Sequence, residues 1–189
     1  MALTPSTMLD LGTPLPSFRL PSVLADAGAP AFEASALMGQ PVLVLFLSAH
    51  CPYVKHIEAE ISRLAADYGD RIQLIGIASN SVLTHPQDGP EGLRHQARIH
   101  GWTFPYLFDA DQAVAKAFQA ACTPDPFLFD ADQRLVYRGQ LDGSRPGNAL
   151  PCDGRDLRAA IEAVLAGQAV NPDQRPSIGC NIKWHPEAA

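Results

Sequence analysis

Cys51 stands in the string Ser48-Ala-His-Cys51-Pro-Tyr-Val-Lys55-His56, close behind an uninterrupted apolar run. A cysteine between a buried strand and a helix that opens on proline falls at or near the N-cap, with Pro52 at the first helical position. Unpaired backbone N–H groups and the positive end of the helix dipole favour a thiolate there, which makes the sulfur a nucleophile. Lys55 and His56 lie in or beside the first turn, where cations are unfavourable, so a negative group is expected nearby. His50, beside the sulfur, offers a proton acceptor or a partner for the thiolate. The plain alternative is a buried spacer cysteine with Lys55 and His56 pointing into water; the strand, the turn and Pro52 favour the reactive reading.

The elements that position this turn follow from periodicity. Pro41-Val-Leu-Val-Leu-Phe-Leu47 is apolar without alternation, as a strand covered on both faces must be. Val54, Ile57, Ile61, Leu64 and Tyr68 then recur at helical spacing, with Gly69 as a stop. Further strands are expected at 72–78 and 104–108, helices at 90–100 and 111–119, a closing hairpin from 127–129 and 135–138, and a last helix at about 156–165. Ser17-Phe-Arg-Leu20 and Ala31-Phe-Glu33 alternate as an N-terminal β-hairpin would. The sum is an α/β fold, a mixed central sheet flanked by helices, in one domain over 1–189. Its core runs from about 11 to 168, and an extended C-terminal tail without periodicity covers 169–189.

The turn Phe46-Leu-Ser-Ala-His-Cys51-Pro-Tyr-Val-Lys55 resembles the thioredoxin active-site turn with its second cysteine replaced by Val54. Thr123-Pro124-Asp125-Pro126-Phe-Leu-Phe-Asp130 resembles the segment in which thioredoxin-like proteins carry a cis-proline facing that cysteine, with Pro124 at the matching position. A cis X-Pro bond costs little and offers a backbone edge on which a substrate can pair. Gly139-Gln-Leu-Asp-Gly-Ser-Arg-Pro-Gly-Asn148 and Ser177-Ile-Gly-Cys-Asn-Ile-Lys-Trp184 extend the likeness, which runs from about Leu11 to Trp184. It is to the peroxiredoxin-like branch of the thioredoxin superfamily, related to alkyl hydroperoxide reductase and thiol-specific antioxidant proteins.

The resemblance implies a thioredoxin-like fold and a thiol-based, antioxidant oxidoreductase without cofactor or metal. Cys51 thiolate would attack a peroxide O–O bond or a disulfide sulfur, and a second thiol and an external thiol reductant would restore it. With Val54 in place of a local partner, that second thiol comes from elsewhere: Cys122 is the first candidate, Cys180 on a tail that could fold back is the second, and Cys152 is incidental. Ser48, His50, Pro52, Lys55, Thr123, Pro124 and Arg145 are the expected substrate-binding residues, with Asn80 a further candidate for the same cleft. The chain also departs from the family pattern. Val44 stands where peroxiredoxins have a proline before the Ser-x-x-Cys, and Pro124 stands where a simple alignment would put their arginine, for which Arg145 is the substitute on offer. Leu45 fills the place of the thioredoxin buried acid. Two other readings stay open, a copper-binding module and a non-catalytic interaction protein; against the first, Lys55 stands where a second ligand cysteine is needed.

Composition narrows the partners. Charged residues make up 18% of the chain and the formal net charge is −6, with no long basic stretch to meet phosphates, so nucleic acid is not expected. The apolar run at 42–47 is too short to span a bilayer, and Met1 to Pro16 lacks the pattern of a signal peptide, so a cytoplasmic protein that does not enter membranes is expected. Four scattered cysteines then read as reactive thiols rather than a disulfide framework. Assembly as a homodimer stays open.

Overall fold

The computed structural model describes residues 3–186. In chain order the elements are β1 (Leu3–Pro5), β2 (Arg19–Leu20), β3 (Phe32–Glu33), β4 (Val42–Phe46), α1 (Pro52–Tyr68), β5 (Gln73–Ala78), α2 (Pro90–His100), β6 (Tyr106–Phe108), α3 (Ala113–Ala117), β7 (Cys122–Thr123), β8 (Asp125–Phe129), β9 (Leu135–Tyr137), α4 (Arg155–Leu165) and β10 (Ile178–Asn181). The central sheet has the order β6-β5-β4-β8-β9, with β4, β5 and β6 parallel and β8 and β9 antiparallel to their neighbours. Among the described residues no helix is long and apolar enough to cross a membrane.

β4 is buried at every position, and its side chains divide between the faces. Leu43, Leu45 and Leu47 pack with Val54, Ile57, Ile61 and Leu64 of α1, Leu93 of α2 and Leu157 and Ile161 of α4. Val42, Val44 and Phe46 pack on the other face with Val114 and Ala115 of α3, Phe118, and Phe18 and Leu20 from the N-terminal hairpin of β2 and β3. The uninterrupted apolar run is therefore the consequence of two covers, as parallel strands in a helix-flanked sheet require.

A second sheet, β1-β10-β7, carries the difference from the sequence reading. The tail has no periodicity because only four of its residues form a strand, and their partners lie far away in sequence. β10 pairs antiparallel with β7, Cys180 opposite Thr123 and Asn181 opposite Cys122, while β1 pairs along its other edge, Leu3 opposite Cys180. Three strands this short give no period for a sequence window to detect. The expected tail residues 187–189 and the chain start at 1–2 lie outside the described residues.

Candidate active site

Cys51 is the N-cap of α1, in extended backbone (φ −70°, ψ 123°), and its carbonyl accepts the first helical bond from the Lys55 N–H at 3.0 Å. Pro52 occupies the first helical position, where its missing N–H costs nothing. The Cys51 thiol makes no cap bond to its own helix; instead Sγ donates to the Thr123 carbonyl at 3.2 Å. The Thr123-Pro124 peptide is cis, so β4 and the β7–β8 turn meet at this sulfur.

The tail closes the site from above. Cys180, on β10, shares a side-chain hydrogen bond with Cys51, and its sulfur also accepts from the Tyr53 N–H, at the second position of α1. The helix start thus donates to the Cys180 sulfur and not to that of Cys51. Burial first, and then the bond to Cys51, push the Cys180 thiol up to about 12. With β10 in place Cys51 has no solvent exposure at all. Beside it, Tyr53, Pro124, Arg145 and Ser177 enclose a cleft of about 20 Å³, room for about one water.

A buried carboxylate holds the turn from below. Asp88, in the short 3₁₀ turn Pro86–Asp88, has no exposed surface. Its Oδ1 accepts from the Ala49 N–H at 2.7 Å and the His50 N–H at 3.2 Å; its Oδ2 accepts from Ser48 Oγ at 2.9 Å and from Asn80 Nδ2 at 2.6 Å, and lies 2.7 Å from His50 Nδ1. Ser48 Oγ in turn accepts from the Cys51 N–H at 3.2 Å. Burial alone would raise the Asp88 carboxyl, but the bonds from His50, Asn80 and Ser48 outweigh it and hold it below its usual range. The pair leaves Nε2 of His50 as the ring atom with a site to spare, and the ring stacks on His85 with centroids 4.7 Å apart. Burial, then the charges of His50 and Lys183, push His85 down.

The expected site residues therefore divide. Cys51, Ser48, His50, Pro52, Thr123, Pro124 and Cys180 lie together. Cys122 is buried behind them: its thiol donates to the Pro124 carbonyl at 3.5 Å, and burial, with the nearby Asp125 and Cys51, drives it far up. Lys55 is exposed and lines a cleft between α1 and α2 with Glu58 and Gln96. His56 Nε2 meets Ser144 Oγ at 3.0 Å. Arg145 borders the cleft, but its guanidinium donates to the Asp142 and Ser144 carbonyls and to Gln140 Oε1, all within 2.7 Å and within its own loop. Cys152, half-buried, is tied by its carbonyl to Arg63.

Asp88 was invisible to sequence reasoning, since His85-Pro-Gln-Asp-Gly-Pro90 looks like an ordinary turn. The positive charge at the start of α1 led to the expectation of an acid near Lys55 and His56, but Asp88 meets His50 instead, and His56 meets Ser144.

The AhpC/TSA family profile matches residues 11–138. The chain belongs to the AhpC/TSA family. This AhpC/TSA protein is similar over its whole length to the crystal structure of an uncharacterized conserved protein from Geobacillus kaustophilus, at 43% identity and a TM-score of 0.94, covering 100% of this chain and 99% of that one. A hypothetical protein of Sinorhizobium meliloti 1021 is 43% identical, with a TM-score of 0.91 over 96% of this chain and 98% of that one. A secreted disulfide oxidoreductase of Mycobacterium tuberculosis shares the fold at 17% identity and a TM-score of 0.57, over 79% of this chain and 95% of that one. No curated protein sequence matches the chain. Family and fold together are those of thiol oxidoreductases.

Proposed function

We propose that this protein is a thiol:disulfide oxidoreductase in which Cys51 is the attacking sulfur and Cys180 the resolving one. The observation that supports this reading is the hydrogen-bonded Cys51–Cys180 pair at the start of α1. Cys51 gives up its proton and attacks one sulfur of a substrate disulfide; the other leaves as a thiolate and takes up a proton. Cys180 then attacks the Cys51 sulfur, releasing the second substrate thiol and leaving a Cys51–Cys180 disulfide. An external dithiol reductant returns the pair to the start.

Reduction of a peroxide is the second reading, favoured by the family match alone. It lacks a guanidinium aimed at the sulfur, because the donors of Arg145 are spent within its own loop. A cytoplasmic setting, as the sequence suggests, would keep the pair reduced at rest.

The test is the reduction of insulin disulfides by the protein with dithiothreitol as electron source, beside consumption of hydrogen peroxide under the same conditions. The expected result is insulin reduction that is lost in C51S. Peroxide consumption without insulin reduction would replace this reading by the second.

A further inference from the structure

The tail lies in the position that a substrate would need. β10 runs antiparallel to Cys122–Thr123, the edge beside the cis-proline, with the Cys180 sulfur against Cys51. Two bonds bracket the pairing: Ser177 Oγ donates to the Pro124 carbonyl at 2.7 Å, and the Ile182 N–H donates to the Ala121 carbonyl at 3.0 Å. Cys51 is sealed beneath this strand, and the adjoining cleft admits about one water. No disulfide can reach Cys51 until the tail moves.

Much of the tail's hold is polar and exchangeable. The Lys183 N–H donates to Asn80 Oδ1 at 2.8 Å, the Ser81 N–H to the Lys183 carbonyl at 2.7 Å, and the His185 N–H to Gln112 Oε1 at 2.8 Å. Ile178 is exposed, whereas Ile182 is buried. One position, however, is sterically strict. A Cβ on Gly179 would fall 2.0 Å from the Thr123 carbonyl oxygen and 2.6 Å from its carbon, both rigid backbone atoms. A strand in this register approaches Thr123 this closely only with glycine immediately before the cysteine that faces Cys51, and a larger residue must hold it further off.

We propose that the Cys122–Thr123 edge is a slot occupied in turn by the tail and by substrate, and that the preferred substrate is an extended polypeptide whose reacting cysteine follows a glycine. This rests on the disulfide-exchange reading above. The substrate strand displaces residues 177–185, one of its disulfide sulfurs bonds to Cys51, and the other leaves as a thiol, carrying the proton that Cys51 gave up. When the tail returns, Cys180 bonds to the Cys51 sulfur and passes its proton to the departing substrate sulfur. The substrate is then fully reduced and the Cys51–Cys180 pair oxidised. Re-docking of one strand both completes the chemistry and evicts the product.

The test uses the full chain carrying C152S and C180S, which removes the half-exposed thiol and stops the reaction at the mixed disulfide. Two synthetic nonapeptides copy residues 176–184, one with the native glycine and one with valine in its place, each with its cysteine activated as the thionitrobenzoate disulfide. Release of thionitrobenzoate is followed by absorbance, and the adduct is located at Cys51 by mass spectrometry of a digest. The glycine peptide is expected to react at least about tenfold faster than the valine peptide. Adding G179V to the protein, which drives its own tail from the slot, is expected to raise the rate with the glycine peptide further; circular dichroism checks its fold, and the peptide comparison stands without it. Equal rates for the two peptides would overturn the slot while leaving disulfide exchange intact. If Cys51 reacts neither with the peptides nor with a small aromatic disulfide, the exchange reading falls with it.

Discussion

Asp88 Oδ2 lies 2.7 Å from His50 Nδ1, and through this contact a residue 37 positions downstream of Cys51 anchors the turn on which Cys51 sits. The carboxylate is fully buried and accepts from the Ala49 and His50 N–H groups as well as from Ser48 and Asn80. Replacing it by the neutral amide forces an NH₂ against donors. D88N is expected to lose about 2–4 kcal/mol of stability, a fall of roughly 5–15 °C in Tm. An unchanged melting curve would show that the turn holds itself.

The same residue sets an acid limb. Its folded-state carboxyl is held below the ordinary value, so it contributes stability above the unfolded value of 3.8 and loses it as pH falls through the folded one. Urea midpoints measured from pH 6 down to pH 3 should fall in the wild type and fall less in D88N.

Asp125 behaves in the opposite sense. Burial pushes its carboxyl up to about 7, the Ala121 N–H, the Ser6 hydroxyl and the Cys122 N–H only partly offsetting this. A raised carboxyl contributes stability below 3.8 and loses it as pH rises through about 7. Between pH 5 and pH 8 the wild type should therefore lose stability that D125N retains, and a parallel pH dependence in the two proteins would refute this.

How much of this was legible in the sequence depends on the range of the contacts involved. The run at 42–47 announced β4 and its two covers, and the proline after Cys51 announced the start of α1, because both are local patterns. β1, β7 and β10 were hidden because each is only two to four residues long, with partners far away in sequence. Cys180 could be named as a candidate, but its register opposite Thr123, which brings it to Cys51, is a fact of tertiary pairing. Asp88 was missed for the same reason: what matters about it is its partners, all from other segments.

The two candidate second thiols are separable by substitution. Cys122 sits behind the cis-proline, bonded to the Pro124 carbonyl, whereas Cys180 is bonded to Cys51 itself. In the insulin assay, C122A should keep turnover and C180A should stall as a Cys51 mixed disulfide, visible as a substrate-sized mass increase. Stalling in C122A instead would move the resolving role to Cys122.

The most direct measurement is the disulfide map of the wild-type chain after one equivalent of a disulfide oxidant, read by non-reducing digestion and mass spectrometry. One cross-linked peptide pair is expected, joining Cys51 to Cys180, with Cys122 and Cys152 still thiols. A bond from Cys51 to any other cysteine, or a Cys51 that remains a thiol while the oxidant is consumed, would contradict it.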